Sequence, residues 1–151
     1  MNRARGLLVA FTALFHCSGA SVPAEGDGGA CFPDSDGLIG GDYIFDVTVD
    51  DTGFSKNILT TQNLANVTLT LKNAGTRAHG FKVECKPVTA PPGCAKTSCF
   101  PAASTVPPLA PGKSMTVRFG TPYPEGIYTF KSSAPADSAV KALNDGQFIV
   151  M

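Results

Sequence analysis

Residues 128–141 read YTFKSSAPADSAVK and are the most informative part of the chain for its fold. Its first residues alternate between apolar and polar side chains, with Tyr128 and Phe130 on one face, which predicts a strand that buries one side. Serine, proline and aspartate follow, and these residues favour a loop. We expect a short helical turn at residues 138–143 and no long amphipathic helix anywhere in the chain. The stretch therefore predicts a strand that ends in an ordered loop.

The same alternation with a period of two recurs along the chain. Turn signals rich in Pro, Gly, Asn and Asp separate the alternating segments. Such half-buried strands are typical of antiparallel sandwiches, and Met115 is expected on a strand as a core residue. The Pro-rich connection from Pro87 to Pro111 is too long for a hairpin and predicts a crossover between two sheets. The alternating segments are residues 43–49, 67–71, 81–83, 115–119, 127–131 and 147–151.

Residues 128–141 resemble the copper-ligand loop of the cupredoxins, the blue-copper β-sandwich family. That loop follows a strand of the form Tyr-x-Phe-x-Cys, continues x-x-Pro-Gly-His and often places Met four residues later. In this chain the Cys position is Ser132, the His position is Asp137 and the Met position is Lys141. The resemblance implies that the frame of the loop is kept while three expected copper ligands are replaced.

The resemblance extends over residues 43–151. Residues 67–73 and 79–83 resemble the two strands that lead to the family's first His ligand, which falls on His79. Residues 109–114 resemble the turn before the later hairpin, and residues 146–150 resemble the closing strand. The resemblance implies an all-β chain with a single Greek-key β-sandwich of cupredoxin type after an N-terminal signal segment.

His79 is the one candidate ligand that remains, because a blue-copper site needs a thiolate, two imidazoles and usually a thioether. Cys85 has the same parity on the strand but lies about 20 Å farther along it, too far to share a metal. The fold would bring Asp137 to the same end as His79. Two hypotheses follow. In the first, a carboxylate–imidazole contact occupies the metal position. In the second, His79 and Asp137 form a weak metal-binding pair.

The N-terminus predicts export. Arg3 and Arg5 precede an apolar run at residues 7–15, which is too short to span a bilayer. Residues 1–20 are expected to form a signal peptide that is cleaved after Ala20. The alternative is a degenerate lipobox, in which residues 1–16 are removed and Cys17 is lipidated. Residues 21–30 are expected to form a flexible linker, and residues 31–151 the sandwich domain. Export would place the chain in the periplasm, at the cell surface or outside the cell.

Either processing route leaves four cysteines for the domain: Cys31, Cys85, Cys94 and Cys99. An even number in an exported chain predicts two disulfides, with three possible pairings. The alternative is one disulfide and two buried thiols. The chain has no Cys-x-x-Cys pair and one His outside the signal segment, which disfavours a zinc site or a thioredoxin-like redox function.

Charge is balanced overall but uneven along the chain. Formal net charge is +0, so there is no basic excess that would attract nucleic acid. Eight acidic residues and no Lys or Arg lie between Gly6 and Ser55. We interpret this acidic segment as a solvated surface and not as a dedicated partner site.

These patterns predict a protein that is not an enzyme. One His allows a single Ser/His/Asp arrangement, and no Gly-x-Ser-x-Gly turn marks a nucleophile. The expected function is an exported, non-catalytic domain that binds an unidentified protein or supports the cell envelope, without a cofactor. It would meet the membrane only through a lipid on Cys17. The alternatives are a copper-binding or electron-transfer protein and a copper carrier that uses a ligand from its partner.

Overall fold

The computed structural model describes residues 40–90 and 94–151. The predicted signal segment, the linker, Cys17 and Cys31 lie outside the described residues. The strands are β1 (Asp42–Asp50), β2 (Gly53–Phe54), β3 (Ile58–Thr61), β4 (Asn66–Asn73), β5 (His79–Val83), β6 (Lys86–Pro87), β7 (Thr97–Ser98), β8 (Val106–Leu109), β9 (Ser114–Gly120), β10 (Gly126–Lys131) and β11 (Gly146–Val150). Three short 3₁₀ turns cover Ala102–Ser104, Pro135–Asp137 and Lys141–Leu143.

The strands form two main sheets, as the all-β prediction requires. One has the order β2-β1-β4-β9 and the other the order β3-β11-β10-β5-β8, while β6 and β7 form a separate ribbon. Both sheets are mixed, because β1 runs parallel to β4 and β3 runs parallel to β11 while the other pairings within them are antiparallel. The physical reason is the path of β3. It pairs in the five-stranded sheet, so β4 returns to the first sheet in the same direction as β1.

The core lies between the sheets and is built from the predicted alternating residues. Val47, Leu69 and Phe130 are among the fully buried side chains. Phe81 and Phe130 lie with their ring centroids 5.0 Å apart, and Phe54 packs edge-on against both rings. Met115 was expected in the core, but it is 39% exposed. It lies near the start of β9, an edge strand that pairs only with β4.

The Pro-rich connection does cross between the sheets. It leaves β5 in the five-stranded sheet and reaches β9 in the four-stranded sheet, but it forms β6, β7 and β8 on the way. A disulfide between Cys85 and Cys99 closes this excursion over 14 residues. Cys94 is also disulfide-bonded. The predicted disulfide framework is therefore confirmed for Cys85 and Cys99.

The two ends of the sandwich are defined by the two ends of β1. β1 has nine residues and so spans about 30 Å, which places Asp42 near one end and Asp51 just beyond the other. The second end also carries the start of β5 and the turn Pro135–Asp137.

Among the described residues, no helix is long and apolar enough to cross a membrane.

Candidate functional site

The candidate site is centred on His79, the first residue of β5. Its side chain is 0% exposed. Residue 79 pairs with Leu109 of β8, and the register shifts between residues 79 and 81. The imidazole is therefore a buried ring, held at a strand end where three loops meet.

Asp137 contacts the first ring nitrogen of His79. Its Oδ2 lies 2.8 Å from Nδ1 of His79, and the side chain of Asp137 is 1% exposed. The turn Pro135–Asp137 holds this carboxylate in place, since the Asp137 amide donates to the Ala134 carbonyl at 3.1 Å. Asn144 donates to the Asp137 main-chain carbonyl at 2.8 Å. The contact predicted between the imidazole and this carboxylate is therefore present.

Ser132 completes the inner part of the site at the end of β10. Its hydroxyl donates to Oδ2 of Asp137 at 2.5 Å. The Ser132 hydroxyl oxygen also accepts hydrogen bonds from the main-chain amides of Gly80, at 3.3 Å, and Ala134, at 3.2 Å. Ser132 is thus buried and fixed by hydrogen bonds to β5 and to the loop that contains Ala134 and Asp137.

Asp51 contacts the second ring nitrogen of His79. Its Oδ1 lies 2.9 Å from Nε2. Asp51 comes from the turn between β1 and β2, so this contact joins the four-stranded sheet to the five-stranded one. Asp51 was expected on a solvated acidic surface, but its side chain is 31% exposed and hydrogen-bonded to His79 and Thr76.

Arg77 links the two carboxylates on the solvent side. Its Nε lies 3.3 Å from Oδ1 of Asp51, and its Nη2 lies 3.9 Å from Oδ1 of Asp137. The Arg77 side chain is 47% exposed, so solvent screens these pairs. Oδ1 of Asp137 makes no hydrogen bond among the described residues, and the guanidinium is the charge that faces it.

Both ring nitrogens of His79 contact carboxylates, so only some arrangements of protons in the site make both contacts favourable. A neutral imidazole has one N–H, whereas an imidazolium has two. With carboxylate oxygens within 3 Å of both nitrogens, both contacts are favourable when His79 is an imidazolium or when one carboxyl is protonated. With a charged His79, the two cations and the two carboxylates balance in number, as a buried ionic network requires.

The hydrogen bonds around Asp51 favour its charged form. Thr76 donates to Oδ2 of Asp51 through its hydroxyl at 2.7 Å and its amide at 3.0 Å. These bonds, together with those from His79 and Arg77, lower the pKa of Asp51 well below the ordinary value for a carboxyl. Asp51 therefore remains a carboxylate throughout the neutral and mildly acidic range.

Asn73 is a further structural residue at this end. It lies at the end of the predicted strand 67–73, and its side chain is fully buried. Its amide donates to the carbonyls of Arg77 and Leu109, each at 2.7 Å, and its Oδ1 accepts the amide of Gly75 at 2.8 Å. Asn73 thus fixes the loop that presents Arg77 and His79.

No protein-family model matches this chain, and no curated protein matches it. Solved structures do match it. The reduced auracyanin from Roseiflexus castenholzii aligns at 21% identity over 72% of this chain and 96% of its own, with a TM-score of 0.54. Auracyanin A from Chloroflexus aurantiacus, a blue copper protein, aligns at 20% identity over 73% of this chain and 99% of its own, with a TM-score of 0.51. The fold is cupredoxin-like.

The cupredoxin-like domain also resembles part of an enzyme. The blue copper oxidase from Nitrosomonas europaea aligns at 17% identity over 72% of this chain, but over 38% of its own, with a TM-score of 0.52. At these identities the likeness establishes the fold alone. The matched structures include blue copper proteins and an oxidase, so the fold does not separate a carrier from an enzyme.

The cupredoxin-like site does not fit type 1 copper. That metal needs a thiolate, and Ser132 offers a hydroxyl in its place. His79 and Ser132 both hydrogen-bond to the Asp137 carboxylate, which takes up donor atoms that would face a metal. Lys141 is exposed, and its positive charge would repel a cation. Within residues 40–90 and 94–151, no group of three or more His, Cys, Asp or Glu could hold a metal ion.

The structure brings together most of the residues that the sequence singled out, and it adds two. His79, Ser132 and Asp137 meet in one cluster. Asp51 and Arg77 were missed, because they reach the cluster through tertiary packing of loops that are distant from Asp137 in sequence. Arg77 precedes His79 by two residues, and this short spacing was the sequence signal that could have pointed to Arg77.

Proposed function

We propose that this chain is an exported, non-catalytic cupredoxin-like domain that lacks a complete type 1 copper site. On this proposal it acts as a binding or structural protein of the cell envelope. One observation carries the proposal. His79, Ser132 and Asp137 stand at ligand positions of the cupredoxin frame, and His79 and Ser132 both hydrogen-bond to Oδ2 of Asp137, at 2.8 and 2.5 Å.

Burial makes this network expensive to open. His79 and Asp137 are each at most 1% exposed. A buried polar group that loses its partner costs about 1–3 kcal/mol, and more if it is charged. A metal entering here would have to break these bonds and would gain only one imidazole and oxygen donors in return. The network therefore supports a structural role for the former ligand positions.

The order of the contacts argues against hydrolytic catalysis. Ser132 donates to Asp137 and not to His79. A serine nucleophile needs a base that accepts its proton, and in this arrangement the imidazole and the hydroxyl both bind the same carboxylate oxygen. The amides of Gly80 and Ala134 also point at the Ser132 oxygen, which occupies its lone pairs.

Export is the second part of the proposal. The basic and apolar N-terminus motivates it, and the Cys85–Cys99 disulfide supports it, because disulfides persist in oxidising compartments. Mass spectrometry of the mature protein tests this part. A chain that begins at residue 21, or at a lipidated Cys17, agrees with export. A mature protein that retains residues 1–16 contradicts it.

Copper titration tests the first part. The purified domain is titrated with Cu(II) while visible absorption and binding stoichiometry are recorded. We expect neither an intense thiolate-to-copper band nor tight 1:1 binding. The positive control is the variant Ser132→Cys/Asp137→His/Lys141→Met, which restores the missing donors on the same frame and is expected to gain the band.

Two results would overturn the copper-free proposal. An intense band in the wild-type domain would establish a type 1 site and favour electron transfer. Tight colourless binding that is lost in His79→Ala would favour the copper carrier, with His79 as one ligand and a partner supplying another. The triple variant shows in both cases that the assay detects a site in this scaffold.

A further inference from the structure

Cys94 has a disulfide partner that the described residues do not contain. Cys94 is disulfide-bonded. Cys85 and Cys99 are bonded to each other, which uses the other two cysteines of residues 40–90 and 94–151. The chain has five cysteines, so the remaining candidates are Cys17 and Cys31.

Processing separates these candidates. Cleavage after Ala20 removes Cys17 from the mature chain. Processing at the lipobox attaches a lipid through the sulfur of Cys17, which then cannot form a disulfide. We propose that Cys94 pairs with Cys31, and that this bond fastens the N-terminal tether to one end of the sandwich. The argument from processing rests on the export part of the proposed function.

Contacts place the entry of the chain at the same end as the Cys94 loop. A Cβ on Gly40 would lie 2.3 Å from the carbonyl oxygen of Asn63. The side-chain amide nitrogen of Asn63 in turn lies 3.5 Å from Oε1 of Glu125. Lys86, just after Cys85, donates from its Nζ to the carbonyl of Glu125. Gly40 and Lys86 are therefore linked across this end by two residues.

The residues that flank the Cys94 loop lie at that end. Pro87 pairs with Thr97, which closes the loop that contains Cys94. The neighbouring Ser98 lies 2.7 Å from the hydroxyl of Tyr128, and that hydroxyl donates to the Pro124 carbonyl at 2.7 Å. Cys94 is three residues from Thr97, which limits it to about 10 Å from the ribbon.

The intervening chain is long enough for the pairing. Cys31 lies nine residues before Gly40 (40 − 31), which allows a reach of roughly 30 Å. Two packed sheets are about 10 Å apart, so this reach covers the end of the sandwich. Cys94 is thus within range of Cys31 without any change in the sheets.

The bond decides which end of the domain is attached. Residues 21–30 would lead directly into the fastened end. The His79 network lies beyond the far end of β1, about 30 Å away. A chain held at its N-terminus, by a lipid or by a partner, would therefore present Arg77 and the His79 network away from the attachment point.

The bond forms by ordinary thiol–disulfide exchange. The thiols of Cys31 and Cys94 lose two protons and two electrons as their S–S bond forms. The electrons reduce the disulfide of an exported thiol oxidoreductase, and the protons pass to its two sulfurs, which leave as a dithiol.

Peptide mapping without reduction tests the pairing. The full exported chain is alkylated and then cut with a protease that cleaves on the amino side of lysine. Cys85, Cys94 and Cys99 then fall on separate peptides, residues 82–85, 86–95 and 96–112, and Cys31 lies on the peptide that ends at Ser55. We expect the 86–95 peptide joined to the Cys31 peptide, and 82–85 joined to 96–112.

Two variants sharpen the result. Cys31→Ser should yield one additional alkylated thiol on the 86–95 peptide, and Cys17→Ser should leave the pattern unchanged. An alkylated Cys31 in the wild-type chain, or a different partner on the 86–95 peptide, would overturn the pairing. The start of the Cys31 peptide reports export by itself, so a failure of export and a failure of the pairing are distinguished in one measurement.

Discussion

The substitution Asp137→Asn probes the charge at the centre of the His79 network. Asparagine keeps the volume of the side chain and one carbonyl oxygen, so the main change is the loss of the negative charge. In the wild type, Oδ2 of Asp137 faces His79 Nδ1 at 2.8 Å and accepts the Ser132 hydroxyl at 2.5 Å. We expect the variant to fold but to be markedly less stable.

The magnitude follows from these two buried bonds. A hydrogen bond to a charged group contributes about 1.5–3 kcal/mol, against about 1 kcal/mol for a neutral one. Losing the charge at both bonds costs about 1–4 kcal/mol on that basis, and breaking a buried charge pair costs about 3–5 kcal/mol. These ranges overlap near 3 kcal/mol. With a urea m-value of about 1.5 kcal/mol/M, the unfolding midpoint should fall by about 2 M.

Equilibrium urea unfolding at pH 7 measures this change, with Asp145→Asn as the matched control. Asp145 is an exposed carboxylate in the same loop, so its substitution should change the free energy of unfolding by less than about 0.5 kcal/mol. A double-mutant cycle with His79→Gln should give a coupling of about 1 kcal/mol or more. If Asp137→Asn matches the control, or the coupling is near zero, the network does not stabilise the domain in the way argued.

Three further predictions concern other parts of the structure. Hydrogen bonds lower the pKa of Asp51, so its stabilising effect is present above the unfolded pKa of about 4 and is lost as pH falls below it. The stability gap between wild type and Asp51→Asn should therefore narrow from pH 7 to pH 3 in urea unfolding, and parallel curves would contradict this. Gly80→Ala should lower the free energy of unfolding by about 1–3 kcal/mol. The added Cβ would lie 1.9 Å from the Ser133 hydroxyl and 2.7 Å from the Val106 carbonyl. An unchanged urea midpoint would show that these neighbours move aside without cost. Replacing both Cys85 and Cys99 with Ser should lower the free energy of unfolding by about 3 kcal/mol, the value for a loop of this length. A decrease of less than about 1 kcal/mol would mean that the β6–β7 ribbon is ordered without the disulfide.

The strands were predictable because a strand that buries one face alternates apolar and polar residues with a period of two. Val67, Leu69 and Leu71 show this alternation, and all three are buried. Met115 fits the same pattern but is exposed, because alternation does not reveal that its strand lies at a sheet edge. The contact between His79 and Asp137 was also predictable, since the resemblance placed both residues at ligand positions of one loop cluster.

The β-sandwich and the residues at positions 132, 137 and 141 can be read from the sequence. Alternation, turn residues and the identities of Ser132 and Lys141 are properties of the chain that no packing can change. Tertiary structure alone decided the use of Asp51 and Arg77 and the parallel pairing of β1 with β4. These depend on contacts between segments that lie 24 or more residues apart in the sequence. That is why an acidic residue that looked like solvated surface became the second partner of a buried histidine.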